Sequence, residues 1–191
     1  MQGGTATATV RVTDIAPFNG AVTLAATGLP TGVTATFGTN PTTGSVVTFT
    51  ASSTAKTGTS TVTITGTSGS LTASTTIALT VEPSTCEIDY GISPQNLTAF
   101  GAAITITNTG TTAISGWTLA WTFANGQTIS SLWNGTETQS GTKVSVTNAS
   151  YNGSIPVGGS YSGVGFNGTW NGTTNAIPTS FTLNGSVCTV K

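Results

Sequence analysis

Apolar and small polar residues alternate along most of the chain with a period of two residues. Such a period places successive side chains on opposite faces of a β-strand. In the first half of the chain, the clearest runs are 21–24, 46–49, 61–65 and 76–81. The turn signals between them, rich in Gly, Pro and Asn, are at 28–32, 40–41 and 66–69. Short strands separated in this way predict a β-sandwich.

The second half of the chain carries all four tryptophans, and the same alternation separates two of them from the rest. Trp117 and Trp121 alternate with Leu119 and Phe123 at every second position. A strand face this apolar is expected to be buried in a core. Trp133 differs, because it directly follows Leu132 and the two side chains point to opposite faces. If Leu132 faces the core, Trp133 lies in solvent together with Ser131.

Two further aromatic residues occur in polar loops. Tyr151 lies within 148–153 and Trp170 within 167–172, both rich in Asn, Ser and Gly. Exposed rings in such surroundings suit sugar binding, because a pyranose packs its C–H groups on a ring face while amides and hydroxyls bond its OH groups. A rigid ring also loses little side-chain entropy. The alternative is that these rings lie flat on their own domain.

Composition extends the β prediction to the whole chain and divides it in two. Thr, Ser, Gly and Asn dominate, while strong helix formers are scarce. The alternation breaks at 82–85, which includes Pro83. We therefore predict an all-β protein with two β-sandwich domains in tandem, at 1–82 and 86–191, joined by a short linker at 83–85.

The chain has two cysteines, Cys86 and Cys188, about a hundred residues apart. They are either unrelated reduced thiols or, since each lies at one end of the second domain, a disulfide that joins its ends. A bridge over so long a loop would stabilise the domain by about 4 to 5 kcal/mol in the chain-entropy model. Because disulfides persist in oxidising compartments, the pairing indicates a secreted, extracellular protein.

Charge excludes several classes of partner. Only 5% of the residues are charged, with four Lys and Arg against five Asp and Glu. Four scattered cations form neither a phosphate-binding stripe nor a polybasic membrane patch, so we expect no nucleic acid and no membrane partner. With no His and only two Cys, we also expect no metal and no cofactor.

The same inventory argues against catalysis. Glycoside hydrolysis uses two carboxylates that flank a cleft. Glu87 and Asp89 are close in sequence, but they share one face of a predicted strand beside Cys86, where a solvated edge is the simpler interpretation. Without His, an activated Cys or clustered acids, general acid–base and nucleophilic catalysis lack their groups. We predict that the chain is not an enzyme.

The first domain resembles the immunoglobulin-like spacer modules of bacterial secreted proteins. The resemblance rests on 18–24, 28–37 and 58–66. In that family a first strand normally precedes Gly3 and Gly4, and here it is missing. The resemblance therefore implies an unpaired edge or a gap in the sandwich, which invites association with another chain.

The second domain is similar along its whole length to the family 2 carbohydrate-binding modules. The matching motifs are 86–90, 104–110, 116–119, 125–127, 133–134, 139–141, 151–156, 165–168 and 183–188. The resemblance implies a non-catalytic sandwich that binds polysaccharide, in most members cellulose, through a flat face with three aligned aromatic residues.

The resemblance assigns positions on that face. Trp133 and Tyr151 carry over as aromatic residues, whereas the third position falls at Gln95, which is not aromatic. Of the usual polar contacts, Asn167 matches as an amide, while Ser93 and Ser131 stand where longer amides are common.

Trp170 follows Asn167 closely, and we include it as a hypothetical substitute for the missing ring. The predicted function is targeting of a linked catalytic domain to insoluble polysaccharide, with cellulose first and chitin or xylan as alternatives. We expect a monomer, with edge-strand association as the alternative state. The competing interpretation is a structural or adhesive pair of β-domains, in which Trp133 and Tyr151 would be buried against another chain.

Overall fold

The computed structural model describes residues 1–40 and 42–191, so Pro41 of the predicted turn at 40–41 lies outside the described residues. Every regular element within them is a β-strand, which confirms the all-β prediction. Among these residues no helix is long and apolar enough to cross a membrane. The chain divides into two compact units, Met1–Pro83 and Ser84–Lys191.

The first unit contains six strands in two antiparallel three-stranded sheets, ordered β1-β4-β3 and β2-β5-β6. The strands are β1 (Thr5–Arg11), β2 (Thr23–Thr27), β3 (Val33–Phe37), β4 (Gly44–Ala51), β5 (Gly58–Ser68) and β6 (Leu71–Val81). Apolar residues from both sheets, including Leu24, Val47, Phe49 and Val62, form the buried core. The four alternating runs of the first half therefore lie in or overlap β2, β4, β5 and β6.

One predicted turn in this unit is partly wrong. β5 continues through Gly66 to Ser68, and the turn consists of Gly69 and Ser70. A Cβ atom at Gly66 would lie 2.7 Å from Cγ1 of Val22. The glycine therefore serves close packing inside the sandwich and does not end the strand.

The first unit is open along β6, which among the described residues pairs with β5 alone. Leu71, Ala73 and Thr75 are exposed, although they lie on the same face of β6 as the buried Val81. They border a groove of about 510 Å³, which is also lined by Val10, Val12, Ile15 and Phe18. The sequence predicted an unpaired edge or a gap, and β6 with its groove is such an edge.

The second unit contains two five-stranded sheets and a two-stranded ribbon. Its strands are β7 (Cys86–Gln95), β8 (Ala99–Asn108), β9 (Ile114–Ser115), β10 (Thr118–Thr122), β11 (Thr128–Trp133), β12 (Gly135–Ser140), β13 (Lys143–Asn148), β14 (Ser154–Ile155), β15 (Ser160–Thr169), β16 (Phe181–Leu183), β17 (Ser186–Val187) and β18 (Thr189–Val190). We call the sheet β11-β15-β8-β7-β18 the Trp133 sheet and the sheet β12-β13-β10-β16-β17 the Trp121 sheet. The ribbon pairs β9 with β14.

The core of the second unit lies between these two sheets. Trp117, Leu119, Trp121 and Phe123 are all buried, as their alternation predicted. The Trp121 ring stacks on Phe166 of the opposite sheet, with ring centroids 6.0 Å apart and planes inclined by 20°. Aromatic pairs of this kind add to the stabilisation that burial itself provides.

A disulfide between Cys86 and Cys188 joins the two ends of this unit and confirms the predicted pairing. Cys86 begins β7, and Cys188 immediately precedes β18, which runs parallel to β7. The bridge closes a loop with a sequence separation of 102 residues. It thus holds the last strand beside the first one, and both cysteines are buried.

Candidate functional site

The outer face of the Trp133 sheet carries the exposed tryptophan that the strand pattern predicted. β11 ends at Trp133, whose side chain is 45% exposed. Its neighbour Leu132 packs against the core. Two apolar residues in succession therefore point in opposite directions, and Trp133 is the one that faces solvent.

Trp133 lies over a glycine of the adjacent strand. Its partner in the sheet is Gly165 of β15. A Cβ atom at Gly165 would be 2.4 Å from Cζ2 and 2.6 Å from Cε2 of the indole. The ring thus covers the position that any larger residue would fill, and it lies across the sheet because Gly165 leaves room for it.

The same cross-strand row continues with small residues. Gly165 pairs with Ala103 of β8, and Ala103 pairs with Gly91 of β7. A Cβ atom at Gly91 would meet no atom within 4 Å. Next to the Trp133 ring the sheet surface is therefore low and flat across three strands.

Tyr151 is the second exposed ring, and a short hydrogen-bonded chain fixes it to the end of β11. The ring is 72% exposed. Its hydroxyl donates to Oδ1 of Asn134 at 2.6 Å, and Nδ2 of Asn134 donates to the carbonyl of Gly163 at 2.6 Å. The carbonyl of Asn134 accepts from Nδ2 of Asn152 at 2.7 Å.

Asn134 can take this central place because of its backbone conformation. Its φ angle of 63° lies in the left-handed region, which Asn adopts more readily than most residues. The chain therefore turns sharply after Trp133 and directs the Asn134 amide towards Tyr151 and β15. The motif at 133–134 thus contributes a ring and the residue that positions the neighbouring ring.

Polar residues form the next cross-strand row. Ser131 pairs with Asn167, and Asn167 pairs with Gly101. Nδ2 of Asn167 lies 3.4 Å from Oγ of Ser131, and both residues are exposed. A long hydrogen bond of this kind leaves amide and hydroxyl groups able to bind a ligand beside Trp133.

Ser93 and Gln95 lie at the end of β7, and both are exposed. Oε1 of Gln95 accepts a hydrogen bond from Nδ2 of Asn175 at 3.2 Å. The side chain at the third expected position is therefore an amide paired with another amide. The structure brings Ser131 and Asn167 next to Trp133, whereas Gln95 belongs to the far end of the sheet.

Trp170 differs from the sequence expectation of an exposed ring. It is half-buried and packs against the core of the second unit. Its Nε1 donates to the carbonyl of Asn96 at 2.9 Å, across 74 residues of sequence. A loop from elsewhere in the chain thus supplies both cover and a hydrogen-bond acceptor, which the composition of 167–172 alone does not reveal.

Trp170 and Trp133 belong to opposite ends of one polar track. Four residues of β15 separate Gly165, beneath Trp133, from Thr169, which precedes Trp170; they span about 13 Å at the usual strand rise. The row of Ser131 and Asn167 lies between. Any ligand that reached both rings would cross these polar side chains.

Charge contributes little to this face. Asp89 and Lys191 lie 4.0 Å apart, and both are largely exposed. In the described residues no group of three or more His, Cys, Asp or Glu could hold a metal ion. Sequence reasoning identified the two rings and the polar residues, but it missed the roles of Gly165 and Asn134. Both lie within motifs already recognised, where only the register of β11 against β15 reveals what they do.

A flat sheet face with a seated indole, a fixed phenol and amides, but no charged cleft, defines a non-catalytic binding module. The family model described as "Cellulose binding domain" matches residues 86–188, and the chain belongs to this family. That stretch is more than half of the chain, and it coincides with the second unit.

Several known proteins are similar to the same part of the chain. Exoglucanase A of Cellulomonas fimi is 48% identical over 105 residues, which is 55% of this chain and 12% of that protein. Chitinase C of Streptomyces lividans is 41% identical over 91 residues, 48% of this chain and 14% of that protein. The chain thus spans only a small part of the length of these relatives.

A solved structure is also similar. The solution structure of the chitin-binding domain of Chi18aC from Streptomyces coelicolor is 35% identical, with a TM-score of 0.45. The alignment covers 55% of this chain and 94% of that domain.

Proposed function

We propose that residues 86–191 bind insoluble β-1,4-linked polysaccharide, with crystalline cellulose as the first ligand, through the outer face of the Trp133 sheet. The observation that carries the proposal is the seat of Trp133 on Gly165, beside a row without large side chains. A flat crystalline surface can approach such a ring over its whole face. A protruding side chain at Gly165 would prevent this contact.

Tyr151 supports the same proposal. Its hydroxyl is already bound to Asn134, so the ring is held in one orientation before any ligand arrives. A pre-oriented ring loses little freedom on binding, which favours affinity without charge. Asn167, Ser131 and Ser93 supply donors and acceptors for sugar hydroxyls, and Gln95 offers an amide where the family resemblance implies a third ring.

The ligand is tested by depletion from solution with insoluble cellulose, chitin and xylan as separate solids. We expect cellulose to retain the protein most strongly. Retention on chitin alone would reassign the ligand, in keeping with the similarity to Chitinase C and to a chitin-binding domain. Retention on none of the three solids would favour a structural or adhesive pair of β-domains.

Trp133→Ala tests the face directly. The loss of a stacked ring is expected to weaken cellulose binding by about 1.5 to 3 kcal/mol, roughly ten- to a hundredfold. Val157→Ala is the matched control, because Val157 is an exposed apolar residue in the turn before β15. Equal affinities for Trp133→Ala and Val157→Ala would contradict the proposal.

Trp170→Ala decides whether the half-buried ring takes part. We propose Trp170 as a secondary contact, so its removal should weaken binding less than removal of Trp133. Unchanged binding in a folded Trp170→Ala protein, with binding abolished in Trp133→Ala, would restrict the site to Trp133 and Tyr151. Near-ultraviolet circular dichroism of the variant checks that the packing around Asn96 survives.

The binding module would serve a linked catalytic domain in the parent protein. Attachment to a surface raises the local concentration of substrate without new contacts in an active site. In this proposal residues 1–82 act as an immunoglobulin-like spacer, 83–85 as a short linker, and the chain itself has no catalytic activity. The buried disulfide supports an extracellular location, where such bonds persist.

A further inference from the structure

The open side of the first unit combines an exposed apolar face with an unpaired backbone edge. Leu71, 61% exposed, and Ala73 lie on the core-facing side of β6, where the opposite sheet does not cover them. Along the same side, Ile77 and Leu79 are half-buried and Val81 is buried. The sandwich thus closes at one end of β6 and stays open at the other.

β6 also lacks the features that usually protect an edge strand. It is eleven residues long and contains no charged residue and no proline. Its pairing with β5 runs without interruption from Ser68 opposite Leu71 to Gly58 opposite Val81, so no bulge twists the edge away. Long, regular, uncharged edges favour pairing with another strand.

The other edge strands of this unit are less suited to pairing. β2 and β3 have five residues each. β1 has seven residues, and Ala8 and Val10 on its inner side are already half-buried. β6 therefore offers both the longest free edge and the largest uncovered apolar face among the described strands.

The sequence of β6 is complementary to itself. When two antiparallel copies meet about a two-fold axis through Thr75, Leu71 of one copy lies opposite Leu79 of the other, and Ala73 lies opposite Ile77. Directly opposed residues share one face of the sheet, so the exposed apolar residues of both copies lie on the side of the groove. The absence of charge removes like-charge repulsion between the copies.

We propose that a second copy of this chain covers the groove, with the two β6 strands paired antiparallel about Thr75. The two three-stranded sheets then form one continuous six-stranded sheet, and each copy shields the apolar residues of the other. One paired strand gives a small interface, so the dimer is expected to form reversibly. Each assembly carries two binding modules, which increases avidity on a surface that both modules reach.

Sedimentation velocity over about 10 µM to 1 mM of the full chain tests the dimer, because weak interfaces dissociate in this range. The sedimentation coefficient should rise with concentration, and Ala73→Lys should abolish the rise by placing a charge in the groove. Ala25→Lys is the matched control, an exposed alanine on the opposite edge strand of the same sheet. A monomer at all concentrations, or equal behaviour of the two variants, would overturn the proposal.

Cross-linking tests the register. The native cysteines are joined and buried, so Thr75→Cys provides the only accessible thiol. Directly opposed residues in an antiparallel pair have Cα atoms about 4.5 to 5.5 Å apart, within disulfide range. Mild oxidation should give a covalent dimer with Thr75→Cys and none with Ala25→Cys. The reverse result, or cross-linking of neither variant, would exclude this register.

The dimer and the polysaccharide site fail separately. Trp133→Ala leaves β6 unchanged, so it should dimerise like the parent chain while losing cellulose binding. A protein that bound cellulose without dimerising would overturn only the inference about β6.

Discussion

The two units expose apolar side chains in different ways. In the second unit Trp133 lies on Gly165, Tyr151 is bound to Asn134, and a disulfide ties the last strand to the first. In the first unit Leu71 and Ala73 stand beside a free backbone edge, and no polar bond positions their side chains in the structure. Exposure of apolar residues is thus common to both units, whereas preorganisation occurs only in the second. We interpret the first surface as an edge to be covered and the second as a binding face.

Removal of the disulfide should separate the two units most clearly. Replacement of both Cys86 and Cys188 by Ala is expected to destabilise the second unit by about 4 to 5 kcal/mol, since the unfolded chain regains the freedom of a long loop. The first unit should unfold as before. Calorimetry of both proteins measures the two transitions, and an equal shift of both would show that the units are thermodynamically coupled.

Gly165→Ala should weaken binding without disturbing the core. The added methyl group overlaps the indole, so Trp133 must leave its seat, at a cost of about 1 to 3 kcal/mol in binding or in local strain. The expected result is a roughly tenfold weaker association with cellulose and a changed tryptophan fluorescence spectrum.

The control for this variant is Gly91→Ala, in the same cross-strand row. A Cβ atom at Gly91 meets open space, so the spectrum of Trp133 should not change. A spectrum that stayed constant in Gly165→Ala would contradict the seat that we describe.

Tyr151→Phe should have the smallest effect. It keeps the ring and removes the hydroxyl that donates to Asn134. We expect a loss of about 0.5 to 1.5 kcal/mol, the usual net contribution of one hydrogen bond, seen as a several-fold weaker binding isotherm. An effect as large as that of Trp133→Ala would mean that the hydroxyl itself contacts the ligand.

Much of the fold followed from alternation in the sequence. A period of two residues is local information, and it correctly placed the strands of the first unit and buried Trp117 and Trp121. It also separated Leu132 from Trp133. The end-to-end position of the two cysteines was enough to favour their pairing, because the domain boundaries were visible in the composition.

The remaining features depend on partners that are distant in sequence. Trp170 is half-buried because Asn96 accepts its N–H, and no local pattern around Trp170 indicates that acceptor. Gly66 resembles a turn residue until Val22 is seen to occupy the space of its side chain. The role of Gly165 likewise requires the register between β11 and β15. Local chemistry thus predicts which residues can form a site, while pairing between strands decides how they are held.

The position of Asn167 has a consequence for how the protein is produced. Asn167, Gly168 and Thr169 form an acceptor sequence for N-linked glycosylation, and the Asn167 side chain is exposed beside Ser131. The acceptor amides of Asn134 and Asn152, by contrast, are engaged in hydrogen bonds inside the fold. A eukaryotic secretory host that modified Asn167 would place a glycan in the polar row next to Trp133. Protein from such a host would be shielded from its ligand although correctly folded, whereas bacterial material or an Asn167→Gln variant would not.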